Sequence, residues 1–351
     1  VSSPYADESF FRALLSKAVA GKASDVHIKV GQPPGARIRG EIVYFRTDRI
    51  SAEDAAAVAR HVIADPETLA HIDTLMEYDS SYFAAGIGRF RVNVYRQRGT
   101  LAVVMRFIPT DIPPMDLLEL PMPVTRELIE KQNGMLLVVG AAGNGKSTSI
   151  ASMIAHLNGT RALHIVTVED PIEFMHKDEL SSISQREIGI DTASFAAALR
   201  AALRQDPDVI FVGEIRDEET MEIALKAAET GHLVLATLHT TDAIRTVGRM
   251  LALMKGDVNE NRLRIASCLQ GIIAQRLLPR ADGSGVALAS EVLVASQSIR
   301  DAIRRPENNP SIKSLMEKGT HPYGMETFQM SITRLLERGV IDEVTANEAM
   351  L

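Results

Sequence analysis

Gly140-Ala-Ala-Gly-Asn-Gly-Lys146-Ser147-Thr148 follows directly on an apolar run at residues 135–139. The order is strand, glycine-rich loop, lysine and hydroxyl, then an apolar stretch (150–157) that reads as a helix. Gly140, Gly143 and Gly145 let backbone amides turn inward on phosphate oxygens, and the helix N-terminus adds its positive end. Lys146 is placed to reach the β- and γ-phosphates, and the Ser147 hydroxyl to ligate the Mg2+ that travels with them. Asn144 and Thr148 complete the loop. The stretch defines a nucleoside-triphosphate site on an α/β fold.

Working outward, strands and helices alternate on the C-terminal side of residue 124. A helix at 125–132 precedes the loop strand. Further strands are expected at 164–168, 208–213 and 232–238, with helices at 192–204 and 218–229 between them. Runs such as Val-Ile-Phe-Val and Leu-Val-Leu-Ala are apolar on both faces, as a parallel sheet covered by helices requires. Beyond Arg245 the pattern turns chiefly helical, with helices expected at 247–254 and 258–277, then a strand at 286–294 and short helices near Ser298, Glu326 and Asp342.

Residues 1–108 read as a smaller α+β domain. It holds a helix at 8–20, strands at 25–30 and 36–44, helices at 51–62 and 66–76, and a hairpin formed by 88–95 and 101–108. Pro109, Pro113, Pro114, Pro121 and Pro123 crowd the interval 109–123, which reads as a stiff linker to the domain at 124–351. At 351 residues the chain has room for both domains. Its net charge of −7 argues against a dedicated nucleic-acid binder, which needs a concentrated basic face. One cysteine, Cys268, rules out an internal disulfide framework and fits a reducing compartment. No apolar run is long enough to span a bilayer, and the N-terminus lacks signal-peptide layout, so a cytoplasmic protein is expected.

Carboxylates stand just beyond two buried strands: Glu169, Asp170 and Glu173 after one, Glu214 after the other. In an open parallel sheet that edge is the ligand edge, and acids there can polarise water or orient a magnesium shell. Glu214 is expected to act on the ion through water, because Mg2+ keeps part of its hydration shell. His232 and His239 bracket one strand an odd number of positions apart, which excludes a side-by-side metal pair. His239, at the carboxyl end, is the one aimed at phosphate. The hairpin carries Arg89, Arg91, Arg96, Arg98 and Arg106. These could be a solvated face, a nucleic-acid patch, or cations that meet the charge developing on a γ-phosphate.

Four blocks resemble one family. Val168-Glu-Asp-Pro-Ile-Glu-Phe174 is similar to its acidic box, and Gly213-Glu214-Ile-Arg216-Asp217 to its Walker B block. Thr230-Gly-His232 through His239-Thr240 is similar to its histidine box, and Gln270-Gly-Ile-Ile-Ala-Gln275-Arg-Leu to a characteristic helix. The family is that of the secretion-type ATPases, and within it the type IV pilus retraction motors PilT and PilU. The resemblance covers nearly the whole chain. It implies a RecA-like P-loop ATPase core and an N-terminal PAS-like domain, with ATP and Mg2+ bound between them in a homohexamer. It also implies Glu173 as catalytic base, Glu214 as the Walker B acid, His239 as phosphate sensor, and Arg91, Arg98 and Arg106 as charge donors.

The implied work is pilus retraction against a PilC-like platform protein at the inner membrane, with the motor peripheral to that membrane on its cytoplasmic side. Assembly and secretion ATPases of the superfamily are the nearest alternative, but they are usually longer at the N-terminus and many carry a four-cysteine zinc insertion. A nucleic-acid translocase or a non-hydrolysing subunit is further off. The chain departs from the family in Ala141, Ala142 and Asn144, where threonine and serine are usual. Gln97-Arg98, the 187–191 segment and the 323–328 segment look closer to PilU, which would make the role accessory to a second retraction ATPase.

Overall fold

The computed structural model describes residues 3–350, and these divide into two compact units, 3–111 with 171–175, and 112–170 with 176–350. In the first unit the strands are β1 (Asp25–Lys29), β2 (Gly35–Ile38), β3 (Glu41–Tyr44), β4 (Glu77–Ala84), β5 (Gly88–Gln97) and β6 (Thr100–Ile108). They form one antiparallel sheet in the order β3-β2-β1-β6-β5-β4. Val26, Ile28, Phe90, Val92, Val94, Val103 and Met105 bury one face of it with the helices Glu8–Ala20 and Ala52–Val62. The second helix opens on a capping box: Ser51 accepts from the Asp54 amide and Asp54 from the Ser51 amide.

Three expectations for this unit are corrected. The strand expected at 36–44 is two strands, broken where Arg39 and Gly40 take positive φ and the chain doubles back. The helix expected over 66–76 stops at Ala70 and gives way to a 3-10 turn at Ile72–Thr74. Strand β4 was not anticipated. Its Glu-Tyr-Asp-Ser-Ser run is polar because β4 is an edge strand with little buried surface.

The second unit carries β7 (Gly134–Val139), β8 (His164–Glu169), β9 (Ser182–Glu187), β10 (Val209–Val212), β11 (Leu233–Leu238), β12 (Leu269–Pro279) and β13 (Val286–Val294). Their order is β13-β12-β7-β11-β10-β8-β9, parallel throughout except for the antiparallel β12–β13 pair. Every residue of β7, β10 and β11 is buried, which is why their sequences show no alternation. The proline-rich interval contributes to this core from its second half: Met115 and Leu120 are buried against Leu128, Ile150 and Met153, and the Ser152 hydroxyl donates to the Pro113 carbonyl at 2.6 Å.

The helix expected at 258–277 ends at Cys268, and the chain runs on as β12. The block 270–277, likened to a helix, is therefore strand. An apolar run there satisfies either period, and the decision falls to the neighbours, since β12 has β7 on one edge and β13 on the other. Gly271 makes the fit possible. A Cβ there would lie 2.9 Å from both methyl carbons of Leu128 and 3.0 Å from the Leu293 carbonyl oxygen. Gly271→Ala is expected to destabilise this unit by about 1–3 kcal/mol through overpacking, read as a lower midpoint in chemical denaturation. An unchanged midpoint would show that β12 can shift away from Leu128.

Candidate functional site

The site begins where β7 ends. Gly140 takes φ 150° with its Cα so close to β12 that a Cβ would sit 2.6 Å from the Gln275 carbonyl oxygen. Gly143 and Gly145 take φ 81° and 76°, in the left-handed region, and Gly145 caps the helix Lys146–Thr160. The helix thus starts four residues earlier than its apolar stretch suggests. The loop reverses on glycines at the positive end of a long helix, and the Asn144 amide donates within it to the Ala141 carbonyl at 3.4 Å. Residues 141–143 are exposed, whereas Lys146 is 8% exposed. Its ammonium donates to the Gly140 and Ala141 carbonyls, at 2.9 Å each, and lies 3.4 Å from Nδ1 of His239.

Strand register assembles the other groups. Val139 lies opposite Leu238, so β7 and β11 stop level, whereas Val212 lies opposite both Ala236 and Val168, so β10 stops two residues short of β11 and within one residue of the end of β8. Gly140, His239, Gly213-Glu214 and Asp170 therefore emerge along one edge of the sheet. His239 Nε2 is 3.2 Å from one oxygen of Glu214, and Arg216 donates to the other at 2.7 Å. Arg216 is also 4.0 Å from Asp170. Ionisable groups thus run along this edge in the order Lys146, His239, Glu214, Arg216 and Asp170.

The turn bearing Glu214 is fixed from both sides. Thr237 donates its hydroxyl to the Gly213 carbonyl, and Ile215 donates its amide to the Thr237 carbonyl at 3.0 Å. Gly213 itself donates to Val168 at 2.7 Å, so close that a Cβ would come 3.0 Å from that carbonyl. Glu169 is buried, accepting from Thr167 at 2.6 Å and Gln185 at 3.2 Å, and is tied up in packing. His232 lies by the end of a helix, its Nδ1 2.9 Å from the Ala227 carbonyl oxygen.

Burial alone would push the Glu214 carboxyl up, but the Arg216 hydrogen bond and the His239 and Arg216 charges outweigh it and hold it below the usual carboxylate range. A group so acidic is a poor proton acceptor and a good fixed anion.

Glu173, Arg91, Arg98 and Arg106 belong to the other unit. Glu173 is exposed. The hairpin arginines are not the unpaired cluster that sequence suggests. Arg96 donates to the carbonyls of Leu75, Asp73 and Gly99. Asp25, Arg106 and Arg91 lie directly opposite one another on β1, β6 and β5, and Arg106 donates to buried Asp25 at 2.9 Å. Arg91 and Arg98 are exposed. Sequence reading also missed what Gln275 and Ser149 do: the amide of Gln275 donates to the Ser149 hydroxyl at 2.7 Å from a fully buried position. Taking 258–277 as helix hid this contact. A glutamine inside an apolar run was the available signal.

A glycine loop on a parallel strand, a lysine over phosphate-facing amides and an ionised acid at the same edge define a P-loop ATPase. The model for the family described as "Type II/IV secretion system protein" matches residues 6–337. Type IV pilus retraction ATPase PilT of Pseudomonas aeruginosa is 36% identical over 337 residues, covering 95% of this chain and 96% of that protein. Type IV pilus ATPase PilU of the same organism is 36% identical over 341 residues, covering 97% and 87%. The crystal structure of the pilus retraction motor PilT with bound ADP superposes with a TM-score of 0.86 at 42% identity, covering 96% of each chain. The chain belongs to the type II/IV secretion ATPases and, within them, to the PilT/PilU-type twitching-motility ATPases. It is an ATP-hydrolysing enzyme with a RecA-like P-loop core and an N-terminal α+β subdomain.

The ion pairs make a titration prediction. A carboxyl whose folded pKa is depressed contributes stability above its unfolded pKa, and that contribution is lost as pH falls through the folded value. Glu214 is therefore expected to titrate below ordinary glutamates in carboxyl-carbon NMR. In Arg216→Ala, where burial is opposed by His239 alone, its midpoint should rise. An unmoved midpoint would mean that Arg216 does not hold the acid.

Proposed function

We propose that the chain is the subunit of a homohexameric motor that hydrolyses ATP with Mg2+ to power type IV pilus retraction. It would work on the cytoplasmic side, peripheral to the inner membrane, where it moves a PilC-like platform protein. Its N-terminal unit is read as PAS-like, joined through the 109–123 interval to the ATPase domain. The observation that carries the reading is the run Lys146–His239–Glu214–Arg216 along the carboxyl edge of the sheet. The end-to-end likeness to retraction ATPases supports retraction over assembly.

Within that reading, the amides of Gly143, Asn144 and Gly145 cradle the phosphates, Lys146 leaves its carbonyl partners for the β- and γ-oxygens, and Ser147 with Thr148 lines the start of the helix. Bound Mg2+ would neutralise phosphate charge. Ser147 would hold it directly, with Glu214 acting through water. His239 bridges loop lysine and Walker B acid, the position a phosphate sensor needs, because its two ring nitrogens face one group each. Glu173 takes the proton of the attacking water. Glu173→Gln is expected to lower turnover at least about a hundredfold, the scale of general-base loss, with ATP affinity kept. Titration calorimetry beside phosphate release checks both, and parental turnover would remove Glu173 from the base role.

Arg91, Arg98 and Arg106 are read as donors of positive charge to the nucleotide of an assembled ring. Arg98 gives the best support. With Gly99 it forms the two-residue turn between β5 and β6, both at positive φ (49° and 80°), where Asn-Gly is the unstrained choice. An arginine kept at a strained tip is a reason to look for a task for its side chain. Arg98→Asn should preserve or raise thermal stability yet cut turnover more than ATP affinity. Full turnover in that variant would leave the turn without a catalytic part.

Complementation tests the biological reading. In a deletion strain of the source organism, the Lys146→Ala chain should leave cells piliated and unable to twitch. Loss of pili in that strain would point to assembly instead.

A further inference from the structure

β7 ends at Val139, paired with Ala274, and β12 runs on alone along that edge to Pro279. In a strand, the carbonyl of one residue and the amide two positions on point to the same side. The Gln275 carbonyl and the Leu277 amide thus share the edge that β7 has left. Gly140 covers the first by close approach. The second donates at 3.1 Å to the side-chain oxygen of Asn144, the middle of the phosphate loop. The Gln275 side chain adds a third tie, through Ser149 to the first turn of the loop helix. The loop is stapled to β12 ahead of, within and behind its glycine reversal.

We propose that Asn144 and Gln275 are positioning residues that hold the phosphate loop in its binding shape from strand β12, Asn144 doing so with a side chain turned away from phosphate. The inference rests on the loop being the ATP site. Two features separate it from plain packing. Asn144 stands where a serine is usual, and an asparagine oxygen reaches one bond further than a hydroxyl. Gln275 is fully buried, yet its side-chain oxygen has no hydrogen-bond partner among the described residues. Such an orphan costs stability, and replacing both Gln275 and its partner Ser149 with apolar side chains of like shape is commonly neutral or stabilising. A glutamine retained for stability alone would not be left half-satisfied.

The test uses the full chain and ATP. Gln275→Met should raise the KM for ATP about five- to tenfold, roughly one hydrogen bond's worth of preorganisation, and once Ser149→Ala is added, so that neither partner is left orphaned, the thermal midpoint should be kept or raised. Asn144→Ala should raise KM similarly, with kcat within about twofold, because the loop must be ordered by the ligand instead of by β12. Ser149→Ala combined with Gln275→Met should be no worse than Gln275→Met alone, since the two act through one contact. Lys146→Ala is run alongside. If it hydrolyses ATP normally, the loop assignment itself is wrong. If it is dead while Asn144→Ala and Gln275→Met bind ATP like the parent, only the positioning role is overturned. A fall in kcat at constant KM would likewise overturn it, by placing these residues in the chemical step.

Discussion

Four parallel strands held in fixed register and ending within about two residues of one another set the terms for everything at the site. The residue that follows each strand is delivered to one edge, so a glycine loop, a histidine, an acid and a further acid meet although they are spread from residue 140 to residue 239. Hydrophobic burial enforces this register. With β7, β10 and β11 buried on both faces, slipping one strand past another would break ladder bonds in a region with no water to replace them. The chemistry is thereby placed by the core and does not depend on the loops finding one another.

Electrostatics then sorts the groups within that edge. Lys146 donates to two backbone carbonyls of the loop it follows, which fixes its ammonium against that loop. Glu214 is between Arg216 and His239 and is held ionised. An anion and a cation a few ångströms apart would ordinarily collapse into a direct pair. His239 stands between them, with Nδ1 3.4 Å from the ammonium and Nε2 3.2 Å from the carboxylate.

The loop and the strand–acid junctions were legible because their signals are local: glycines before a lysine, or an apolar run before a carboxylate. What stayed hidden depends on partners far away in sequence. Residues 269–277 fit a helical or a strand pattern equally, and only the edges of β7 and β13 decide between them. β4 shows no apolar alternation because it lies at the sheet's edge. Arg106 looks like free charge until Asp25 is brought beside it from 81 residues away. Asn144 reads as a neutral departure from the usual loop, since its partner is the amide of Leu277, 133 residues on.

The same dependence on distant partners extends beyond β12 to its antiparallel neighbour. Glu291 on β13 is buried and accepts from the Ala243 and Phe328 amides, each the first residue of a helix. Burial raises its pKa, and the two amides pull the other way without prevailing. The carboxylate earns its place by geometry, because one side chain satisfies donors at two helix ends that a buried apolar residue would leave orphaned. The helix Ala243–Leu253 begins four residues after His239, and β13 lies beside the strand that staples the phosphate loop. A rearrangement of the loop or of the histidine edge therefore meets the same carboxylate from two directions. Such a shared anchor ties the two helices together, because moving either one alone leaves a carboxylate oxygen without its donor.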